Sequence, residues 1–144
     1  MTLRELQPLI INWAAEKDLL KPENASKQRL KLIEEVGEIA SAILRNNVEG
    51  IKDGIGDVYV VLVILSAQVG QPLDMENYKD EFYSNLTIDE ILSAIIYYEV
   101  NVNFDIIYKL CDKLNVNFED CANLAWNEIK NRTGKTVGGT FIKN

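Results

Sequence analysis

Apolar residues recur at helical spacing along most of the chain. Leu3, Leu6, Ile10, Trp13 and Ala14 fall on one side of a first helix, and Thr2 with Glu5 has the form of a capping box at its start. Pro8 lies within that helix, where it implies a kink or a late start. Lys21-Pro22-Glu23-Asn24 predicts a loop, with Asn24 or Ser26 capping a second helix that runs to about Arg45. On a helical wheel Ile33, Val36, Ile39, Ala40, Ile43 and Leu44 cover one side, which is expected to face the core. Glu34, Glu35 and Glu38 cover the other side, with Lys31 and Arg45 among them. After Asn46-Asn47 a third helix is predicted from about Val48 to Val69, stopped by Gly70 with Pro72 beyond. Its middle, Val58 to Leu65, is apolar nearly all round, the mark of a buried element. The β-branched residues there favour a strand locally, but the length of the segment favours a helix.

Residues 74–85 read as a short helical or irregular connector. Thr87-Ile88-Asp89-Glu90 is a second capping box, opening a helix to about Glu99. Asn101 to Asn103 breaks the chain, Asp105 to Leu114 forms another helix, and a last one runs from about Phe118 to Asn131. Gly138-Gly139, between Thr136-Val137 and Thr140-Phe141-Ile142, predicts a small β-hairpin. The pattern is that of an all-α protein, an antiparallel helical bundle with a short C-terminal β-hairpin or extended tail. With 144 residues and no internal repeat or linker, it reads as a single domain over 1–144.

Composition narrows the function. A net charge of −7 argues against general affinity for nucleic acid, which needs clustered Lys and Arg. The chain has no histidine, which removes Ser-His-Asp and Cys-His catalysis and imidazole metal sites. Cys111 and Cys121 lack metal-like spacing and read as buried thiols of a reducing compartment. No signal peptide is recognisable, and the apolar run Val58–Leu65 is too short to span a bilayer. A cytoplasmic protein is expected, in the host cytoplasm if phage-encoded.

The acids carry the chemistry. On a helix Glu34, Glu35 and Glu38 share a flank at i,i+3 and i,i+4, and so do Asp53 and Asp57 on the next helix. The dozen or so residues between the groups let the helices pack antiparallel, about 8–10 Å apart. The Asp53/Asp57 face continues through Val61, Ile64 and Gln68, so it points into packing, where a carboxylate needs a partner or a metal. Opposed carboxylates with hard oxygen donors favour Mg²⁺, or Mn²⁺. The alternative is an ordinary solvated acidic face.

Other motifs are weaker. Gly134-Lys135-Thr136 ends like a P-loop, but Ile129 stands where the first Gly is required and a helix precedes it. Lys130, Arg132 and Lys135, near Asn127, either meet phosphate oxygens or complement a helix C-terminus. Lys31 can pair with Glu35 at i,i+4. Trp13 and Trp126 can stack on a base, or simply belong to the core.

Glu34-Glu35-x-x-Glu38, followed by Ile55-Gly56-Asp57 and an apolar helix, resembles the MazG-like all-α nucleoside triphosphate pyrophosphatases. The stretch Asn127–Lys135, with Gly139-Thr140-Phe141-Ile142-Lys143, is similar to the end of the short phage and bacterial members. The resemblance covers most of the chain, least so 71–116. It implies Mg²⁺-dependent hydrolysis of a nucleoside triphosphate to a monophosphate and pyrophosphate, for housecleaning or control of nucleotide pools. The implied metal ligands are Glu34, Glu35, Glu38, Asp53 and Asp57, with Glu34 or Glu38 as general base. Lys27, Lys31, Asn127, Lys130, Arg132 and Trp13 are the implied substrate contacts. The family pattern has Glu three before the last Asp. Here Gly54 stands there, and either Asp53 replaces the Glu or the site has one ligand fewer. The resemblance also implies a homodimer or a tetramer of dimers, with Val61, Ile64 and Leu65 near the interface. Two other readings stay open: a non-catalytic acidic helical oligomer, and a dUTP-specific pyrophosphatase of the same superfamily.

Overall fold

The computed structural model of the chain describes residues 1–75 and 85–144. Most of the connector expected at 74–85 therefore lies outside the described residues. Among those described are six helices, α1 (Leu3–Glu16), α2 (Ala25–Leu44), α3 (Val48–Val69), α4 (Ile88–Tyr98), α5 (Phe104–Leu114) and α6 (Phe118–Ile129). They are followed by an antiparallel pair of strands, β1 (Gly134–Val137) and β2 (Thr140–Lys143), joined through Gly138-Gly139. The fold is the all-α bundle with a C-terminal hairpin that the patterning predicts. No helix of the described residues is long and apolar enough to cross a membrane.

The local signals act largely as expected. Thr2/Glu5 and Thr87/Glu90 both form capping boxes, so each pair satisfies two backbone N–H groups at a helix start. Pro8 sits inside α1. Gly70 ends α3 in the left-handed conformation, which it adopts without steric cost. The start of α2 differs from expectation. A 3-10 turn over Pro22–Asn24 leads into it, and Asn24 is buried with its amide donating to the Leu19 carbonyl instead of capping the helix.

The central element is α3, which packs on α2 and on α6. Two glycines make both contacts close. A Cβ on Gly54 would stand 2.6 Å from Ile39 Cγ1, and one on Gly56 would stand 2.2 Å from the Cys121 carbonyl oxygen of α6. The contacts of Gly54 with Ile39 and Gly50 with Ala42 fix an antiparallel register between α2 and α3. That register sets Glu35 across from Asp57, and Gln28, two turns earlier, across from Ile64. Tyr59 is fully buried against Phe104 and Phe118, and its hydroxyl donates to the Leu3 carbonyl, tying α1 to the core. Val61, Ile64 and Leu65 are buried within the single chain, with Leu65 at 0% exposure. Within the chain α3 packs against α1, α2 and α6, and Val61 and Ile64 also line a cavity.

Candidate active site

The helical wheel of α2 needs a correction. Ile33 is 49% exposed and Leu44 81%, whereas Glu35 is only 6% exposed and sits among the core positions Leu32, Val36 and Ile39. The helix is rolled so that Glu35 turns inward while Glu34 and Glu38 stay exposed. A carboxylate is thus buried where an amphipathic surface helix would bury an aliphatic side chain, and such burial needs charge compensation.

Carboxylate oxygens of Glu34, Glu35 and Glu38 lie within 4.8 Å of one another. Lys31 Nζ approaches Glu34 at 2.6 Å and Glu35 at 3.4 Å. Burial opposes the charge on Lys31, but the two carboxylates outweigh it and hold the ammonium above its usual range. One cation does not suffice for the group. Glu35 is pushed up to about 8, first by burial, then by the charge of Asp57 across the helix pair and by Glu38. Asp57, half-buried, rises to about 6, again through burial first, then through Glu128, Asp53 and Glu38. The second oxygen of Glu35 is buried without any hydrogen-bond partner. An oxygen donor left unsatisfied among gathered carboxylates fits a hard divalent cation.

Asp53 is exposed, so only Asp57 of the second acidic pair points into packing. Burial, Glu128 and Glu49 raise the Asp53 carboxyl above its usual range, and its charge in turn reaches Asp57. Gly54 explains the departure from the Glu-x-x-Asp pattern: its backbone lies against Ile39 of α2, where a side chain would force that buried residue aside.

Glu34, Glu35 and Asp57 open onto a cavity of about 500 Å³, a size usual for small-ligand sites. Of the other sequence candidates, Lys27, Lys31, Arg132 and Trp13 line it as well. Lys130 is exposed and outside its lining, and Asn127 lines a different cavity, on the side of Lys52 and Cys121. Sequence reasoning missed three lining residues. Glu128 lies one turn before Arg132, ion-paired to it at 3.3 Å, and its charge bears on both Asp53 and Asp57. Lys143 comes from β2, and Gln28 from the buried face of α2. Glu128 and Lys143 lie in the C-terminal stretches that carry the resemblance but had no role assigned, and Gln28 lies in no motif; the tertiary fold brings the three to one cavity.

The hairpin closes one side. Phe141 meets Trp13 edge-to-face at 5.1 Å, and the Thr136 hydroxyl donates to the Lys17 carbonyl at 2.6 Å. Gly139, with positive φ, rests against Lys27, where a Cβ would come within 3.0 Å of its side chain.

A family match falls on the acidic helices. Residues 24–84 match the MazG nucleotide pyrophosphohydrolase domain. The resemblance read from Glu34-Glu35-x-x-Glu38 and Asp57 falls within this stretch, which spans α2 and α3. The chain is also similar to an "Uncharacterized 18.2 kDa protein in rep-hol intergenic region" of Haemophilus phage HP1 (strain HP1c1). The two are 44% identical over 69 residues, 46% of this chain and 42% of the phage protein. The match thus spans less than half of that relative. No solved structure matches the chain. The matched residues contain the acids Glu34, Glu35, Glu38, Asp53 and Asp57. Trp13, Arg132 and the hairpin lie outside the matched residues.

Proposed function

We propose that this chain is a Mg²⁺-dependent nucleoside triphosphate pyrophosphohydrolase, cutting between the α- and β-phosphates to release a monophosphate and pyrophosphate. The observation that carries the reading is Glu35: a buried carboxylate with an unsatisfied oxygen, beside Glu34 and Glu38 and across from Asp57, at the wall of a cavity that also gathers cations. Glu34, Glu35, Glu38 and Asp57 would hold the metal, with Asp53 at the rim. A bound divalent cation would offset the negative charge of the phosphates and lower the pKa of a water. Lys27, Lys31 and Arg132 line the same cavity and would neutralise the polyphosphate, most of all the leaving pyrophosphate. The attacking water's oxygen bonds to phosphorus, the α–β bridge breaks, and the water's proton passes to a carboxylate. Whichever of Glu34 and Glu38 is not held by the metal would take that proton: Glu34 lines the cavity but is engaged by Lys31 at 2.6 Å, and Glu38 stands beside it, outside the lining.

Self-association belongs to the same proposal, as a dimer or a tetramer of dimers in the cytoplasm. Leu30, 57% exposed, lines the cavity, and Ile33 continues the same exposed apolar face of α2. A second copy seated there would bury the face and wall the cavity. Light scattering checks this: Ile33→Asp is expected to lower the oligomer mass, and a fully active wild-type monomer of 16.3 kDa at micromolar concentration would rule it out.

The test of the activity is a nucleotide panel with and without Mg²⁺, following pyrophosphate. Release of inorganic phosphate instead would mean a different bond is cut. Absence of any Mg²⁺-dependent turnover would favour the non-catalytic acidic oligomer.

A further inference from the structure

The chemistry above uses the carboxylates and cations of the cavity and leaves Gln28 without a task. Gln28 is 6% exposed, it lines the cavity, and its carboxamide makes no hydrogen bond to another described residue. The amide atoms are not sealed off, so water can reach them from the cavity, and a ligand that fills the cavity has to replace that water as partner. On α2 it stands two turns before Glu35, about 10 Å along the axis. Acid centre and amide therefore occupy different ends of one cavity. At the amide end Trp13, Leu19, Ile64 and Phe141 supply apolar and aromatic walls. Trp13 also buries its indole N–H without an acceptor.

We infer that Gln28 reads the hydrogen-bonding edge of the nucleobase, with Trp13 and Phe141 walling the base end, and so sets which base the site prefers. This rests on the nucleotide reading proposed above. With the phosphates at the carboxylates, the base of the same molecule falls at the far end of the cavity, where the amide is. A carboxamide offers a donor and an acceptor side by side, the complement of the paired donor and acceptor on a base edge. Aromatic walls hold any base, so shape alone discriminates poorly there. A buried group that must be hydrogen-bonded discriminates strongly, because the wrong base leaves it unpaired.

The experiment compares wild type with Gln28→Met, close in volume but without the amide. Mg²⁺-dependent pyrophosphate release is measured on the common deoxynucleoside triphosphates and dUTP, and melting is followed without nucleotide. Gln28→Met is expected to melt close to the wild-type temperature, since the amide makes no hydrogen bond within the protein and the volume is kept. The ratio of kcat/KM between the best and worst bases is expected to fall at least about tenfold. Gln28→Glu, which replaces a donor by an acceptor, is expected to reorder the bases; it serves as the second variant if Gln28→Met fails to fold. A wild type that turns over nucleotides without base preference overturns the inference, as does a Gln28→Met that keeps the wild-type preference. In both cases the hydrolase reading stands. Equal loss on every base, with normal melting, also overturns it and moves Gln28 to the reaction itself. A wild type that releases no pyrophosphate from any nucleotide removes the hydrolase reading, and the inference with it.

Discussion

Two cavities of similar size, about 500 and about 610 Å³, lie on the protein and differ in how their polar groups are occupied. The second is lined by Lys52, Asp120 and four asparagines, and much of that polarity serves the fold. Asn117 caps α6 by accepting from the Asp120 N–H at 2.9 Å, and Asn123 donates to the carbonyls of Met1 and Glu119. In the first, Glu35 and Trp13 bury polar atoms that nothing satisfies, and burial and mutual repulsion push Glu35 and Asp57 up. Volume does not separate the two. What separates them is unsatisfied hydrogen bonding at the first, a condition common at ligand sites, although Gln68 Oε1 is also buried without a partner and lines neither cavity.

The comparison can be broken most sharply at the acids. Glu38→Gln keeps the shape and removes a charge, so the fold should persist while turnover falls by at least about a hundredfold, the scale for loss of a preorganised charge-stabilising group. Steady-state pyrophosphate assays with a melting control check this, and wild-type rates would sink the metal-site reading. Next in size is the response to the ion. Mg²⁺ at about a hundredfold over its Kd should stabilise by roughly 2.7 kcal/mol, or about 5–10 °C in Tm. Glu35→Gln should abolish that shift while raising the metal-free Tm, because burial disfavours charge at this position. An equal response to Na⁺ at matched ionic strength would indicate screening alone. A structural effect follows: Gly56→Ala pushes α6 off α3 and should destabilise by about 1–3 kcal/mol in denaturant unfolding. It disturbs both cavities, since Cys121 lines one and Asp57 the other. Smallest is the control. Asn127→Ala, in the second cavity, should leave kcat/KM within about twofold and stability within about 0.5 kcal/mol. A large loss would return Asn127 to the substrate contacts.

Local chemistry made much of the fold legible. Capping boxes at Thr2 and Thr87, the stop at Gly70 and the turn at Gly138-Gly139 act within a few residues of themselves, so short windows reveal them. The acidic pairs were legible for the same reason, as repeats at i,i+3 and i,i+4. The roll of α2 was not. A wheel assumes that the apolar side seeks the core, yet Ile33 and Leu44 are exposed and Glu35 is buried, across from Asp57 at the wall of the cavity. Gln28, Glu128 and Lys143 were illegible too. Each is an unremarkable residue on its own element, and its role comes from what the register of α2 on α3 and the return of the hairpin bring beside it.

That returning hairpin has a consequence for the order in which the molecule is made. The carboxylates of α2 and α3 emerge early in synthesis, and their helices can pair as soon as both are out of the ribosome. The wall formed by Phe141 against Trp13, and Gly139 against Lys27, waits for residues translated long afterwards. A nascent chain can therefore carry the assembled acids without an enclosed chamber for a nucleotide, and competence arrives only with the closing strands. A chain ending before Gly134 would keep Gln28 and the carboxylates but lack the wall that Gly139 and Phe141 form.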